Sequence, residues 1–296
     1  RYVCGLYRCM KELTNRFPDI LFEGCAAGGN RFDLGILCYF PQIWASDNTD
    51  ALCRAQIQYN YSYGYPLSCI SAHVSASPNH QTLRNMPLES RFAVAAFGLL
   101  GYECNMCDMN KEELNAVKCQ IELYKKLRNV FFTGTFYRTE SFEEENAGNA
   151  SVLNNGKGNM AEWTVVSTDK KKAVGLIMQK HVIPNTQYAC YRAKGLDEAK
   201  KYHFYNRKLQ YDIKEFGELV NMVSPIHIKQ GSMLQDILSK LKKMDGETED
   251  YGDTLMYSGV KLKQAFSATG YNENVRFFQD FAARLYFMEE VEDDKQ

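Results

Sequence analysis

Apolar strand-like segments alternate with helical segments through the first 130 residues of the chain. The strand-like segments are at residues 20–22, 41–44, 69–74 and 102–104, and the helical ones at 50–61, 88–100 and 111–127. Strands that alternate with helices of about 10 to 15 residues are typical of a parallel sheet built from βα units. Four such units correspond to half of an eight-stranded barrel or to a small open sheet.

The apolar period falls towards two after about residue 130. Short strand-like segments follow at residues 130–132, 136–137, 163–166, 174–177 and 188–191. Such short, regularly spaced segments between turn clusters indicate an antiparallel β-sandwich. The sequence therefore predicts an α/β domain at residues 1–133 and a β domain at 134–289. It also predicts a helical insertion at about 212–243 and a charged tail at 290–296.

Composition excludes several classes of partner. The 35 Lys and Arg residues are balanced by 36 Asp and Glu residues, so the excess of positive charge that a nucleic-acid partner needs is absent. No apolar run approaches the roughly 20 residues of a membrane helix. The ten cysteines are irregularly spaced, which favours free thiols and a cytoplasmic setting. Without an initiator Met or a signal-peptide pattern, we interpret the chain as part of a longer polypeptide.

Two acidic residues follow the strand-like segment at 41–44 and precede a helical segment. In a parallel βα barrel, residues just past the carboxyl ends of strands face the active-site mouth, so Asp47 is well placed for acid or base catalysis. Helix capping explains the same residues differently. Asp47 or Thr49 could accept backbone N–H bonds, and the helix dipole would favour Asp50.

A second polar loop follows the strand-like segment at 20–22. It contains Cys25 and the adjacent pair Gly28 and Gly29. Adjacent glycines let the backbone approach a hydroxyl-rich or anionic ligand closely, although a tight turn alone would also use them. A phosphate-binding loop is excluded, because no Gly-Lys-Ser/Thr sequence follows.

Neither the histidines nor the paired cysteines predict a metal or redox site. His73 and His80 are seven residues apart, with no Cys, Asp or Glu between them, and match no ligand spacing typical of zinc. Cys104 and Cys107 form a CxxC sequence, but no second CxxC or suitably spaced His accompanies it. We therefore interpret them as hydrogen-bonding loop histidines and ordinary thiols, and expect no metal or cofactor.

The segments at residues 22–33, 43–50 and 72–82 resemble, in order and spacing, consecutive signatures of the α-galactosidases of glycoside hydrolase family 36. The stretch at 251–288 resembles the closing segment of the same enzymes. The resemblance implies the second half of a catalytic (β/α)8 TIM barrel followed by a C-terminal β domain. It also implies removal of terminal α-galactose from oligosaccharides with retention of configuration, and homo-oligomers in the full-length enzyme.

The resemblance assigns roles to individual residues. Asp47 is the first Asp of the family's Trp-x-Ser-Asp-x-Thr-Asp pattern, which carries the general acid/base. Five further positions match substrate-binding parts of the family: Cys25, Gly28, Gly29, Trp44 and Asp50. The residues at 26–27, 30 and 48 depart from the family's usual sequence, which bears on sugar specificity more than on the reaction class.

The family's nucleophile lies in a Lys-Trp-Asp sequence, and this chain has none. Its two tryptophans, Trp44 and Trp163, stand in other contexts, so the motif is expected before Arg1. The isolated 296 residues are therefore expected to be inactive.

Three alternative functions stay open. A related α-N-acetylgalactosaminidase or a galactosyltransferase would share the same fold. A non-catalytic carbohydrate-binding protein would keep the pocket without the nucleophile.

Overall fold

The computed structural model describes residues 1–25, 31–140, 158–181, 190–207, 209–210, 221, 224–239, 242–243, 247–262 and 280–291. The chain divides into two compact units, Arg1–Gly134 and Thr135–Gln296. Among the described residues, no helix is long and apolar enough to cross a membrane. All ten cysteines are free thiols.

The first unit alternates helices with parallel strands. Its elements are α1 (Tyr2–Arg16), β1 (Glu23–Gly24), α2 (Leu34–Leu37), β2 (Gln42–Trp44), α3 (Ala51–Tyr61), β3 (Ile70–Ser75), α4 (Leu88–Ala95), β4 (Leu99–Glu103) and α5 (Lys111–Thr133), with 3-10 turns at Leu67–Cys69 and Met106–Asp108. The four strands form one sheet in the order β1-β2-β3-β4, and each neighbouring pair is parallel.

The two faces of this sheet differ in polarity, because successive side chains of a strand point to opposite faces. On one face, Ile43 and Ile70 are buried in an apolar cluster that includes α2. On the other, the Glu23 carboxylate accepts hydrogen bonds from the Gln42 amide and from the Ser71 hydroxyl. One face of the sheet therefore packs on helices, and the other presents polar side chains.

The predicted buried strand at residues 20–22 is wrong. Ile20 and Leu21 are 54% and 72% exposed, and pairing begins only at Glu23, which lies opposite Gln42. An apolar run forms a strand only where a neighbouring strand satisfies its backbone groups, and that requirement is not visible in a local pattern.

The predicted strand at residues 130–132 is the last turn of α5. Val130 and Phe131 are buried, and the Phe131 ring contacts those of Tyr124 and Phe97 at centroid distances of 6.2 and 5.0 Å. The apolar residues thus continue the buried face of the helix, which ends only at Gly134.

The second unit is mainly antiparallel. Its elements are β5 (Thr135–Glu140), β6 (Met160–Val166), β7 (Lys172–Gln179), β8 (Cys190–Tyr191), β9 (Lys201–Asn206), β10 (Leu209–Gln210), α6 (Met233–Ser239), β11 (Lys242–Lys243), β12 (Glu247–Tyr251), a π-helix (Thr254–Ser258), β13 (Val260–Lys261) and β14 (Ala283–Glu290). Six strands form a sheet in the order β12-β9-β14-β7-β6-β5, and the pairs β10-β11 and β13-β8 form separate ribbons. In the described ranges, the predicted antiparallel strands thus form one large sheet and two ribbons.

Tyr191 is central to the core of this unit. Its hydroxyl donates to the Trp163 carbonyl at 3.0 Å and is hydrogen-bonded to the Thr164 hydroxyl at 2.6 Å. Burial raises the pKa of Tyr191 far above its ordinary value. A Cβ atom at Gly175 would lie 2.1 Å from the Tyr191 hydroxyl, so this position of β7 requires glycine.

Two predicted segments of this unit differ from the structure. The charged tail predicted from residue 290 begins later, since Glu290 is the last residue of β14 and lies 3.1 Å from the Lys200 ammonium. Of the helical insertion predicted at 212–243, helix Met233–Ser239 is described, but residues 211–220, 222–223 and 240–241 lie outside the described ranges.

We expect Gly98→Ala to lower the free energy of unfolding of the first unit by about 1–3 kcal/mol. A Cβ atom at position 98 would lie 2.7 Å from both the Ile70 carbonyl oxygen and the Ala72 Cβ, and neither atom can move without shifting β3. Gly5→Ala is the matched control, because outside its chain neighbours and the nearby backbone of α1 no atom of the described residues lies within 4 Å of its Cβ position. It should raise the same free energy by about 0.5–1 kcal/mol. Urea unfolding measures both, and equal effects would contradict the packing argument.

Candidate active site

The side chain of Asp47 lies at the carboxyl end of the parallel sheet. Strand β2 ends at Trp44, the next residue is fully buried, and the chain then exposes Asp47 before α3 begins. The Trp44 indole Nε1–H donates a hydrogen bond to Asp47 Oδ1 at 2.9 Å. The sequence-predicted acid/base therefore has an accessible carboxylate that is held by a side chain of the adjacent strand.

The loop between β2 and α3 is organised by its own polar side chains. The Ser46 hydroxyl accepts from the backbone N–H of Asn48 at 3.2 Å, and the Asn48 side chain accepts from the N–H of Asp50 at 3.1 Å. These two turns follow each other directly and leave Asp47 at the exposed point of the loop. Asn48, which replaces a common Asp of the family, is used here to shape the loop.

Asp50, and neither Asp47 nor Thr49, is the N-cap of α3. Its Oδ1 accepts from the N–H groups of Leu52 at 2.9 Å and Cys53 at 3.2 Å. Its side chain is 0% exposed. Both carboxylate oxygens are occupied by protein groups, which is at odds with the direct substrate contact predicted for Asp50.

The second oxygen of Asp50 ties its loop to the loop after β3. Oδ2 accepts from the Thr82 hydroxyl at 2.5 Å and lies 2.6 Å from a guanidinium nitrogen of Arg84. Nearby, the Asn79 amide donates to the Thr49 hydroxyl at 3.0 Å. The loops that follow β2 and β3 therefore form one hydrogen-bonded assembly around a buried carboxylate.

Removing the Asp50 carboxylate should destabilise the first unit strongly. We expect Asp50→Ala to lower its free energy of unfolding by about 3–5 kcal/mol, because it removes a buried carboxylate that pairs with the Arg84 guanidinium and caps α3. Asp50→Asn keeps an oxygen for the cap and should cost less. Urea unfolding of the two variants measures the difference. A loss below about 1 kcal/mol for Asp50→Ala would show that this network contributes little to stability.

The indole of Trp44 has two further neighbours. The ring of His73, on β3, lies at a centroid distance of 4.5 Å, and the guanidinium carbon of Arg54, on α3, lies 5.1 Å from the indole centroid. Arg54 is 2% exposed and donates to the backbone carbonyls of Ser46, at 3.2 Å, and Ser71. Burial lowers the pKa of Arg54 to about 10, so the guanidinium is charged at neutral pH.

A second carboxylate lies at the same edge of the sheet. Glu103 ends β4, and its Oε2 is 3.5 Å from His73 Nδ1. The His73 ring lies over Gly101, where a Cβ atom would be 2.5 Å away. Sequence reasoning missed Glu103, although its position at the end of a predicted strand could have identified it. It also missed Arg54, which local spacing does not distinguish from any charged residue of a helix.

The other predicted site residues are described only in part. Cys25 directly follows β1, the neighbour of β2, and its side chain is exposed. Gly28 and Gly29 fall within residues 26–30, which lie outside the described ranges. Where side chains are described, no group of three or more His, Cys, Asp or Glu residues could hold a metal ion.

Two protein-family profiles match the chain in succession. The profile described as Melibiase matches residues 1–134, and the profile described as Glycosyl hydrolase family 36 C-terminal domain matches residues 160–288. The chain is 43% identical over 202 residues to α-galactosidase AgaA of Geobacillus stearothermophilus and 44% identical over 204 residues to α-galactosidase Mel36A of Lactobacillus acidophilus. Each alignment covers 68% of this chain and 26% of the relative, so the chain spans about a quarter of the length of these proteins.

Solved structures agree with these matches. The α-galactosidase of Lactobacillus brevis superposes with a TM-score of 0.76 at 34% identity, covering 100% of this chain and 32% of that one. A variant of G. stearothermophilus AgaA in complex with raffinose superposes with a TM-score of 0.70 at 33% identity, covering 97% and 31%. Another AgaA variant, in complex with stachyose, superposes with a TM-score of 0.72 at 34% identity, covering 97% of this chain and 31% of that one.

Proposed function

Because the chain belongs to glycoside hydrolase family 36, we propose that its protein is a retaining α-galactosidase that hydrolyses terminal α-galactosyl residues of oligosaccharides. One observation carries the proposal. The exposed carboxylate of Asp47 lies at the carboxyl end of a parallel strand and is held by Trp44, within a sequence that matches the family's acid/base motif. Carboxylates in this position of a βα fold are well placed for acid or base catalysis.

We propose that residues 1–133 form the second half of a (β/α)8 barrel and that residues 134–289 form the C-terminal domain. The strand order β1-β2-β3-β4, the parallel pairing and the polar second face of the sheet support the barrel assignment. The interior of such a barrel is lined by one face of the strands, and the catalytic groups stand at its carboxyl end.

In the proposed mechanism, Asp47 acts twice. It first donates its proton to the glycosidic oxygen while a second carboxyl group, about 5 Å away, attacks the anomeric carbon. The Asp47 carboxylate then removes a proton from the water that hydrolyses the glycosyl–enzyme ester. The proton returns to Asp47, and galactose leaves with the configuration of the substrate.

The substrate assignment rests on the neighbouring strand ends. Cys25 follows β1 next to the strand that carries Asp47, which supports its proposed place at the galactose pocket. We propose that Gly28 and Gly29 also line the galactose pocket. Since AgaA variants have been crystallised with raffinose and stachyose, we propose oligosaccharides of this type, which end in α-galactose, as substrates.

We also propose a reducing, cytoplasmic setting and a homo-oligomeric enzyme. The ten free thiols support the first proposal. The second follows from the family resemblance alone, and size-exclusion chromatography with light scattering tests it.

The decisive experiment is an assay of the native polypeptide that contains this chain. We expect it to cleave aryl α-galactosides in strong preference to aryl α-N-acetylgalactosaminides and aryl β-galactosides. Proton NMR should show α-galactose as the first product, which establishes retention. Absence of α-galactoside cleavage by a folded protein, or release of β-galactose, would overturn the proposal.

A further inference from the structure

We propose that Arg54 is a positioning residue for Asp47: its buried guanidinium fixes the indole of Trp44, and the indole N–H orients the carboxyl group that transfers the proton. The inference rests on the proposed function, because it assigns Arg54 a part in the same reaction. It adds a residue that contacts neither the substrate nor the reacting atoms.

Among the described residues, the Asp47 carboxylate is held by a single donor. In the described part of the chain, its hydrogen bond from Trp44 Nε1, at 2.9 Å, is the one that the Asp47 side chain makes. An exposed aspartate otherwise samples several rotamers, and its carboxyl plane rotates broadly. A single directional donor on the strand therefore determines where the proton-transferring oxygens point.

The indole of Trp44 is held mainly by neighbouring side chains. Trp44 is half-buried at the last position of a three-residue strand, so backbone pairing alone gives its ring little support. The guanidinium carbon of Arg54 lies 5.1 Å from the indole centroid, within the range of a cation–π contact. The His73 ring contacts the same indole. The direction of the Nε1–H bond therefore depends on how firmly Arg54 is held.

Arg54 itself is held by backbone carbonyl groups. Its two terminal nitrogens donate to the carbonyl of Ser46, next to Asp47, and to the carbonyl of Ser71 on β3. The guanidinium thereby joins the loop that carries Asp47 to the sheet. It is a rigid planar donor, so both bonds constrain its plane against the indole.

Arg54 makes no close ion pair in the described part of the chain. The charge of Glu103 acts on it from farther away than 4 Å, and among the described residues its Nε has no hydrogen-bond partner. Burial of the charge costs free energy, which the hydrogen bonds to the Ser46 and Ser71 carbonyls offset in part. A purely stabilising role would affect all substrates alike, so dependence of the kinetic loss on the leaving group distinguishes positioning from stability.

The kinetic test compares Arg54→Met with Arg91→Met in the native polypeptide. Arg91, on the next helix α4, is the matched control. It is also buried and donates to two backbone carbonyls, those of Met86 and Ser75. In the described part of the chain it makes no contact with Trp44. For raffinose, whose leaving group needs protonation, Arg54→Met should lower kcat by about 10- to 100-fold with little change in KM. For an aryl α-galactoside with a good leaving group, the loss of kcat/KM should stay within about threefold, because kcat/KM covers only the steps up to the glycosyl–enzyme, to which proton donation contributes little with this leaving group. Arg91→Met should leave both rates unchanged.

A double-variant cycle tests whether Arg54 acts through the indole. Trp44→Phe removes the N–H donor and should produce the same leaving-group dependence. In that background, Arg54→Met should cause no further loss of kcat, because the effect of Arg54 passes through the removed bond. Arg54→Lys keeps the positive charge but loses the planar guanidinium group. It should therefore also lower kcat on raffinose. It also provides a second variant if Arg54→Met does not fold.

The state of the Trp44 ring gives a readout that does not depend on catalysis. Labelling the native polypeptide with 5-fluorotryptophan gives a separate ¹⁹F NMR signal for each tryptophan, and the Trp44→Phe variant identifies the signal of Trp44. Arg54→Met should shift this signal, and Arg91→Met should not. If the proposed function is wrong, every variant is inactive while this shift persists. The inference itself is overturned by an unchanged Trp44 signal, by equal kinetic losses for good and poor leaving groups, or by additive losses in the double variant.

Discussion

Asp47→Asn should lower kcat on raffinose by about 10²- to 10⁴-fold, the usual contribution of a general acid. The amide has the shape of the carboxyl group and can still accept the Trp44 Nε1–H bond, so the loop geometry should persist. It can neither donate the proton that the glycosidic oxygen needs nor accept one from water. Steady-state assays of the native polypeptide and its variant measure the effect.

Asp19→Asn is the matched control for this prediction. Asp19 is an exposed aspartate in the turn before β1, at the opposite end of the strand from the candidate site, and its replacement should leave kcat unchanged. In the Asp47→Asn variant, an aryl α-galactoside with a good leaving group should still form the glycosyl–enzyme. Hydrolysis of this glycosyl–enzyme should then become slow, because no base activates the water. Full raffinose hydrolysis by Asp47→Asn would refute the acid/base assignment.

The 296 residues on their own should show no turnover of an aryl α-galactoside. Retaining hydrolysis needs a nucleophilic carboxyl group about 5 Å from the acid/base. The family resemblance assigns that group to a Lys-Trp-Asp sequence, which does not occur among the 296 residues. Adding a polypeptide that carries this sequence in trans should restore a measurable rate if the two parts associate.

Glu103 is the competing carboxylate for the nucleophile role. It stands at the end of β4 with a partly exposed side chain beside His73. Turnover by the 296 residues at rates ordinary for an enzyme, abolished by Glu103→Gln, would overturn the expectation and identify Glu103 as the nucleophile. Turnover that Glu103→Gln leaves unchanged would also overturn the expected inactivity, and the nucleophile would then be a group other than Glu103.

Local patterns predicted the elements that position the site. The strand at 41–44 and the helix from about residue 50 are confirmed as β2 and α3, because an apolar strand followed by capping residues and a helical period is a strong local signal. The position of Asp47 past a strand end can be predicted by the same reasoning, from order along the chain. Its proposed chemical role rests on the family motif and stays a prediction.

Contacts between distant segments could not be predicted in this way. Arg54 reaches Ser71 across 17 positions, and Asp50 reaches Thr82 across 32. Nothing local distinguishes such a residue from an exposed charge on a helix, because its partners are set by the packing of two loops and a sheet. For the same reason the last turn of α5 was mistaken for a strand: the surface that buries Phe131 comes largely from elsewhere in the chain.

The buried Asp50 carboxylate has a consequence for recombination between relatives. The connections that follow β2 and β3 share this one anion, because the acid lies in one of them and its Thr82 and Arg84 partners lie in the other. A chimera whose imported connection lacks its share of these groups would have an unmatched cation or an unmatched acid at its centre. The two connections should therefore be exchanged as a single module, and sequence changes in one of them should coevolve with changes in the other.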